Sequence, residues 1–82
     1  LRFIEVKGRT KGATTVTVSK NEILTALNKP DEFILAIVEV DKDVTHTIYL
    51  KHPFKNAPDF TATSVNFDIQ DLIAESEILY EK

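Results

Sequence analysis

The first quarter of the chain has the residue pattern of two short strands. Residues 2–7 are β-branched, aromatic or charged, and Gly8 follows them. Residues 15–18 alternate between threonine and valine, which favours a strand with one face against a core. Residues 8–13 contain two glycines and two cations. This composition predicts a turn that connects the two strands.

A helix is predicted over residues 20–28. Ser19 stands before it and Glu22 follows three residues later, which is the spacing of a capping box. In that motif the serine hydroxyl and the glutamate carboxylate each accept a hydrogen bond from the other residue's backbone N–H. Apolar residues then recur on one face, and Pro30 prevents the helix from continuing far beyond Asn28.

Residues 33–38 form a run of six consecutive apolar residues. Such a run is typical of a strand covered on both faces, as in the interior of a parallel or mixed sheet. With the strand and helix before it, this segment completes a βαβ unit, whose crossover is almost always right-handed.

The second half of the chain predicts further strands and a last helix. Residues 41–43 are a short polar link, and residues 44–51 alternate, which favours an antiparallel partner strand. Residues 52–59 contain two prolines and are predicted as a surface loop, and residues 63–67 as an edge strand. Asp68 is expected to cap the last helix. The predicted fold class is α/β, a mixed sheet in the order β-β-α-β-β-(β)-α.

Length and composition indicate one small domain over residues 1–82. The chain is 43% hydrophobic and 28% charged, which is ordinary for a globular domain and unlike a disordered tail. It has no cysteine, so disulfides and thiolate metal sites are excluded, and a core of this size provides only about 3–5 kcal/mol. Because the chain begins at Leu1 and not at a methionine, we expect an excised part of a larger domain.

The charges are distributed unevenly along the chain. Residues 1–20 carry five cations and one acid, a net charge of +4. Because the whole chain has a net charge of −3, the remaining residues have a net charge of −7. A basic first quarter on an acidic body favours a local phosphate-facing patch. No apolar segment is long enough to span a bilayer and no secretory signal is visible, so no membrane partner and a cytoplasmic location are expected.

Glu5 and Lys7 are the candidate catalytic residues. Residues i and i+2 of a strand point to the same face, so this carboxylate and this ammonium are expected to stand side by side. Phosphodiester hydrolysis uses a divalent cation held by carboxylates and a fixed positive charge where the transition state accumulates negative charge. The pattern therefore makes Glu5 a candidate metal ligand, with Lys7 beside it, and their opposite charges are expected to keep both groups ionised.

Four further residues are candidate nucleic-acid contacts. Arg9 and Lys11 lie in the predicted turn, where an arginine offers a forked donor to phosphate oxygens. Lys20 and Asn21 lie at the start of the predicted helix. The alternative is that all four are polar side chains that simply face water.

Structural explanations compete with the chemical ones. Glu5 and Lys7 can be a solvated strand face with a weak ion pair. The capping box alone explains Glu22. His46 and His52 are six residues apart with no third ligand type nearby, so a zinc site is not expected.

Two segments carry a resemblance to a known family. Residues 2–9, Arg-Phe-Ile-Glu-Val-Lys-Gly-Arg, and residues 16–22, Val-Thr-Val-Ser-Lys-Asn-Glu, with Ala26, resemble the C-terminal domain family of the plant protein NO VEIN. That domain of unknown function occurs beside helicase and ATPase modules. More broadly, the chain resembles the PD-(D/E)xK superfamily of restriction-endonuclease-like nucleases, over about residues 2–40.

The resemblance implies a partial restriction-endonuclease-like core and a Mg²⁺-dependent nuclease site. Glu5 would be the metal-binding acid of the (D/E)xK pair and Lys7 its lysine, with Asn21 and Glu22 nearby. The superfamily takes another metal-binding aspartate from a preceding strand, and the four residues before Glu5 include no acid. We therefore expect the chain alone to be inactive even if its parent is a nuclease.

Two functional hypotheses follow. The first is a nuclease-like nucleic-acid-processing domain, which acts on DNA with Mg²⁺ in the intact parent. The second is a non-catalytic module that docks DNA or a protein for an attached helicase or ATPase. A structural fragment that merely completes a sheet is a third possibility, and a homodimer is compatible with each.

Overall fold

The computed structural model describes residues 2–81. The elements are β1 (Phe3–Thr10), β2 (Thr15–Ser19), α1 (Lys20–Asn28), β3 (Phe33–Asp41), β4 (Val44–Lys51), β5 (Ser64–Asp68), α2 (Ile69–Glu75) and β6 (Glu77–Glu81). Four strands form the main sheet in the order β1-β3-β4-β6, and two strands, β2 and β5, form a second sheet.

The predicted βαβ unit is confirmed. β1 and β3 pair in parallel from Phe3 opposite Phe33 to Thr10 opposite Val40, with α1 in the connection between them. β4 pairs antiparallel with β3, as its alternating pattern predicted. The fold is therefore mixed α/β, and β3 lies between β1 and β4 in the interior of the sheet, with residues 33–37 all buried.

The start of α1 is fixed by the predicted capping box. The Glu22 backbone N–H donates to Ser19 Oγ at 3.2 Å, and the Ser19 backbone N–H donates to Glu22 Oε1 at 2.8 Å. These two bonds satisfy N–H groups that have no partner inside the helix. They also fix the Glu22 side chain at the end of α1 that is nearest to β2.

The core lies between one face of the main sheet and the layer formed by α1, α2 and the β2–β5 pair. β3 and β4 contribute Leu35 and Leu50 to this inner face, and both are fully buried against Val18 and Ile23 of the other layer. The outer face of the sheet has no covering element among residues 2–81, and Ile4 and Val6 are more than half exposed there.

Three features differ from the sequence prediction. β1 continues to Thr10 because β3 offers hydrogen-bonding partners as far as Val40, so Arg9 is a strand residue and not a turn residue. β2 pairs with β5 in a sheet of its own and does not join the main sheet. β6 was not predicted, since residues 77–81 have three consecutive apolar residues between two acids and not an alternating pattern.

Neither α1 nor α2, the two helices within residues 2–81, has the length and apolar character needed to cross a membrane.

Leu35→Ala tests the core. Leu35 is 0% exposed, and removing a buried leucine side chain costs about 2–5 kcal/mol, which is the whole stability expected of a domain of this size. We expect the variant to be largely unfolded by circular dichroism in the absence of urea. Leu24→Ala is the matched control, because Leu24 is 41% exposed on α1. A folded Leu35→Ala whose midpoint of urea unfolding equals that of Leu24→Ala would contradict this core assignment.

Candidate functional site

Glu5 and Lys7 project from the same face of β1, as predicted. The residues at odd positions of β1 from Glu5 onward are partly buried and those at even positions are exposed, so both side chains lie on the inner side of the sheet. Lys7 Nζ is 3.9 Å from Glu5 Oε2, and their side chains are 22% and 33% exposed. The pair is therefore half-buried at the edge of the core and not a fully solvated strand surface.

Glu22 is the third member of this cluster. Lys7 Nζ donates to Glu22 Oε1 at 3.0 Å and lies 3.3 Å from Oε2, so the ammonium group contacts both carboxylate oxygens. Oε1 is the same atom that accepts the Ser19 backbone N–H. The capping box thus accounts for only part of the role of Glu22, because one carboxylate both caps α1 and pairs with β1.

The two carboxyl groups have opposite pKa shifts. A hydrogen bond with the Glu22 carboxyl raises the pKa of Glu5, partial burial and the negative charge of Glu22 add to this, and Lys7 only partly opposes it. For Glu22, partial burial by itself raises the pKa. The Ser19 amide, the Glu5 carboxyl, the Lys7 ammonium and the Ser19 hydroxyl outweigh burial and lower the pKa of Glu22 to about 2. Lys7 favours the ionised form of Glu5, in the direction expected from their opposite charges, but the Glu22 carboxyl and partial burial outweigh this effect on the Glu5 pKa.

A cleft of about 290 Å³ opens above the cluster. Glu5 and Glu22 line it together with Asn21, and Phe3 and Phe33 provide apolar walls. Asn21 is exposed at the first turn of α1, so the structure places this predicted contact residue beside the Glu5–Lys7 pair. The carboxylates of Glu5 and Glu22 are thus accessible to a ligand from solvent.

Glu5 and Glu22 are the residues that a divalent cation would use. Mg²⁺ keeps several waters and is commonly held by one or two carboxylates together with substrate phosphates, so two convergent carboxylates fit its minimal requirement. Within residues 2–81, no group of three or more histidine or acidic side chains is arranged to hold a metal ion. The two carboxylates therefore suit a cation that takes its remaining ligands from water and substrate. They do not suit a structural metal ion that is fully enclosed by protein ligands.

The basic candidate contacts are engaged with different partners. Lys11 Nζ is 3.3 Å from the Asp41 carboxylate at the far end of β1. Lys20 Nζ donates to the Phe60 carbonyl oxygen at 2.8 Å and stands 5.3 Å from the centre of its ring. Arg9 points to the inner face of the sheet, where its Nε is buried. The three cations therefore do not converge on one surface patch: Lys11 and Lys20 have separate partners, and Arg9 faces the inner side of the sheet.

Two sets of contacts were not assigned from the sequence. The Lys7–Glu22 pair joins residues 15 positions apart, and only the placement of Glu22 at the head of the crossover helix pointed to it. Both histidines pair with carboxylates of β6, His46 with Glu81 at 2.9 Å and His52 with Glu77 at 3.3 Å. No sequence signal indicated the second set, because β6 itself was not predicted.

Glu22→Gln tests the electrostatics of the cluster. Glutamine keeps the capping box but removes the charge that raises the pKa of Glu5, so the Glu5 carboxyl is expected to titrate at a lower pH, as measured by ¹³C NMR of the side-chain carboxyl. The lowered pKa of Glu22 contributes stability above its ordinary value of 4.5, and this is lost as pH falls towards about 2. The free energy of unfolding of Glu22→Gln should therefore fall less than that of the parent chain as the pH is lowered from 4.5 towards about 2.

Glu5 contributes with the opposite sign. Its raised pKa favours the folded state at low pH, and this contribution is lost as pH rises through the folded-state value.

Glu75→Gln changes an exposed acid on α2 and is the control for these experiments; it should leave the titrations of Glu5 and Glu22 unchanged. An unchanged Glu5 titration in Glu22→Gln would show that the two carboxyls do not interact.

The comparison with protein families supports the resemblance carried by the first two strands and the helix. The family model described as "Protein NO VEIN, C-terminal" matches residues 1–50, which is more than half of the chain and includes Glu5, Lys7 and Glu22. Comparisons with curated proteins and with solved structures found no match. The chain therefore belongs to the family of the NO VEIN C-terminal domain.

Proposed function

We propose that Glu5, Lys7 and Glu22 form the centre of a nuclease-like domain, which hydrolyses phosphodiesters of nucleic acid with Mg²⁺ in the intact parent protein. The observation that carries this proposal is the convergence of an ammonium group with two carboxylates, at 3.0 Å and 3.9 Å, beside an open cleft. Simple charge pairing needs one acid and one base. The extra carboxylate leaves a net negative charge that a cation would neutralise.

The three residues would have distinct roles. Glu5 and Glu22 would hold the cation, which when bound polarises a phosphoryl oxygen and acidifies a water molecule. Because the pKa of Glu5 is raised, protonation of this carboxyl would compete with cation binding as the pH falls. Lys7 would supply positive charge where the phosphorus group becomes more negative in the transition state.

The position of β1 explains why the intact parent is needed. β1 is an edge strand of the main sheet, so its outer edge is unpaired among residues 2–81. In the PD-(D/E)xK superfamily, which the chain resembles, a further metal-binding aspartate comes from the strand before the (D/E)xK strand. The open edge beside Glu5 has room for such a strand.

Paramagnetic broadening by Mn²⁺ tests the metal site on the chain itself. We expect low concentrations of Mn²⁺ to broaden the amide NMR signals of Glu5, Lys7 and Glu22 before those of the rest of the chain. The double variant with Glu5→Gln and Glu22→Gln should lose this broadening, because neutral amides bind divalent cations poorly. Glu75→Gln is the control. Equal broadening in the double variant would remove the two carboxylates from the proposal.

Plasmid nicking by the intact parent tests catalysis. With Mg²⁺ or Mn²⁺ present, Lys7→Ala is expected to lower the rate by about 10²-fold or more, which is the usual effect of removing one electrostatic contact to a transition state. Lys55→Ala removes an exposed lysine whose ammonium donates to the His52 carbonyl oxygen at 3.2 Å, and it should leave the rate unchanged. Equal nicking by the parent and by Lys7→Ala would exclude Lys7 from the reaction.

A docking module is the second candidate function, and the outer face of the main sheet favours it. Ile4 and Val6 are 56% and 58% exposed on this face, whereas the neighbouring Ile34 and Ala36 of β3 are buried. Parallel strand pairs are normally covered on both faces. Four strands of five to nine residues give roughly 500 Å² of flat area, below the about 800 Å² per partner of a stable dimer.

That area fits one amphipathic helix, so the occupant we propose is an apolar helix face from the attached helicase or ATPase module. If Val6→Lys abolishes the association of the chain with that module while the Lys7→Ala parent nicks normally, docking is the better account. If Val6→Lys leaves that association unchanged, the outer face is not the docking surface.

A further inference from the structure

A second cavity lies on the inner face of the main sheet, further along β1 from Lys7. It has a volume of about 360 Å³, which is within the range of small-ligand sites. Its floor is made of isoleucines of the sheet and of α2, namely Ile37, Ile48 and Ile73, and Arg9 and Glu39 lie among its lining residues. We call it the Arg9–Glu39 cavity.

Arg9 has an unsatisfied donor in this cavity. Its Nε is buried and has no hydrogen-bond partner within residues 2–81, and no carboxylate of those residues lies within 4.0 Å of its guanidinium. A buried N–H without an acceptor costs free energy comparable to a lost hydrogen bond, and more when the group is charged. The guanidinium has further donors on its terminal nitrogens, and these are the donors that a ligand in the cavity would contact.

Glu39 places an acceptor beside this donor. Arg9 and Glu39 are opposite each other in the parallel β1–β3 register, and both line the cavity without forming an ion pair within 4.0 Å. At the rim His46 and Glu81 pair with each other at 2.9 Å. The cavity therefore offers a forked donor and a carboxylate acceptor on neighbouring strands, above an apolar floor.

A ligand that matches this arrangement has a hydrogen-bond acceptor and a donor on one edge and flat apolar faces. Nucleobases have this chemistry, because the edge of each base presents acceptors and N–H groups to arginine and to carboxylates while its faces stack on apolar side chains. Arg9 is two residues beyond Lys7 on the same strand face, a distance of roughly 7 Å. The cavity thus adjoins the Glu5–Lys7–Glu22 cluster.

We propose that the Arg9–Glu39 cavity binds an unstacked nucleobase, which Arg9 and Glu39 recognise through its polar edge. The inference rests on the proposed function, since it makes single-stranded or locally opened nucleic acid the substrate. It assigns to Arg9 a contact with a base and not with a phosphate.

Methyl NMR of the chain with nucleoside 5′-monophosphates in EDTA tests this proposal. At least one of the four nucleotides is expected to shift the methyl signals of Ile37, Ile48 and Ile73, and ribose 5-phosphate, which lacks a base, is expected to leave them unchanged. Arg9→Ala should weaken binding by about tenfold or more, and Arg9→Lys should not restore it, because lysine lacks the forked donor. Glu39→Gln should also weaken binding.

The controls separate a lost ligand site from a lost fold. Arg2→Ala removes an exposed arginine outside the cavity and should bind nucleotides as the parent chain does. Glu39→Gln is nearly isosteric, so it provides a second route if Arg9→Ala fails to fold. The absence of methyl shifts with all four nucleotides, equal shifts with ribose 5-phosphate, or unchanged affinity in Arg9→Ala would each overturn the proposal.

The experiment is independent of the metal site. EDTA removes divalent cations, so base binding is measured without the chemistry proposed for Glu5 and Glu22. The double variant with Glu5→Gln and Glu22→Gln is expected to keep the methyl shifts. If nucleotides bind and the parent does not nick DNA, the base site stands and the nuclease function fails. If the parent nicks DNA and no nucleotide binds, the nuclease function stands and the base site fails.

Discussion

The hydrogen-bonded ion pair between Lys7 and Glu22 connects the two elements on which the candidate site depends. Glu22 accepts the Ser19 amide at 2.8 Å and the Lys7 ammonium at 3.0 Å through the same oxygen, so the cap of α1 and the inner face of β1 meet at one atom. The helix cap fixes the Glu22 carboxylate next to Lys7, so Glu5, at 3.9 Å, is the more distant partner of that lysine. The Glu22 carboxyl in turn raises the pKa of Glu5. The arrangement of the three charged groups therefore depends on the capping box of α1, which holds Glu22 against the inner face of β1.

The same layer arrangement leaves the main sheet covered on one face only. Leu35 and Leu50 are fully buried on the inner face, whereas Ile4 and Val6 on the outer face are more than half exposed. A small core and exposed apolar residues on one face are both typical of a domain that gains stability from a neighbouring domain or partner. An edge strand that carries Glu5 and Lys7 next to that bare face places the candidate chemistry and the candidate docking surface on the same element.

Local signals in the sequence predicted most of the fold and part of the site. The capping box located α1, the apolar run over residues 33–38 located the interior strand, and the spacing of Glu5 and Lys7 placed them on one face. The misses involve contacts between distant segments. β6 has a short, exposed sequence whose pairing with β4 comes from tertiary structure, and the extension of β1 through Arg9 depends on the length of β3. No local pattern encodes either feature.

A double-mutant cycle between Lys7 and Glu22 tests the central claim most directly. Lys7→Met, Glu22→Gln and the double variant are compared with the parent chain by urea unfolding at pH 7, and the Lys11–Asp41 pair, at 3.3 Å and well exposed, provides the matched control cycle. We expect a coupling free energy of about 1 kcal/mol for Lys7 with Glu22 and a smaller one for the control. A Lys7–Glu22 coupling no larger than that of the exposed pair would contradict the account.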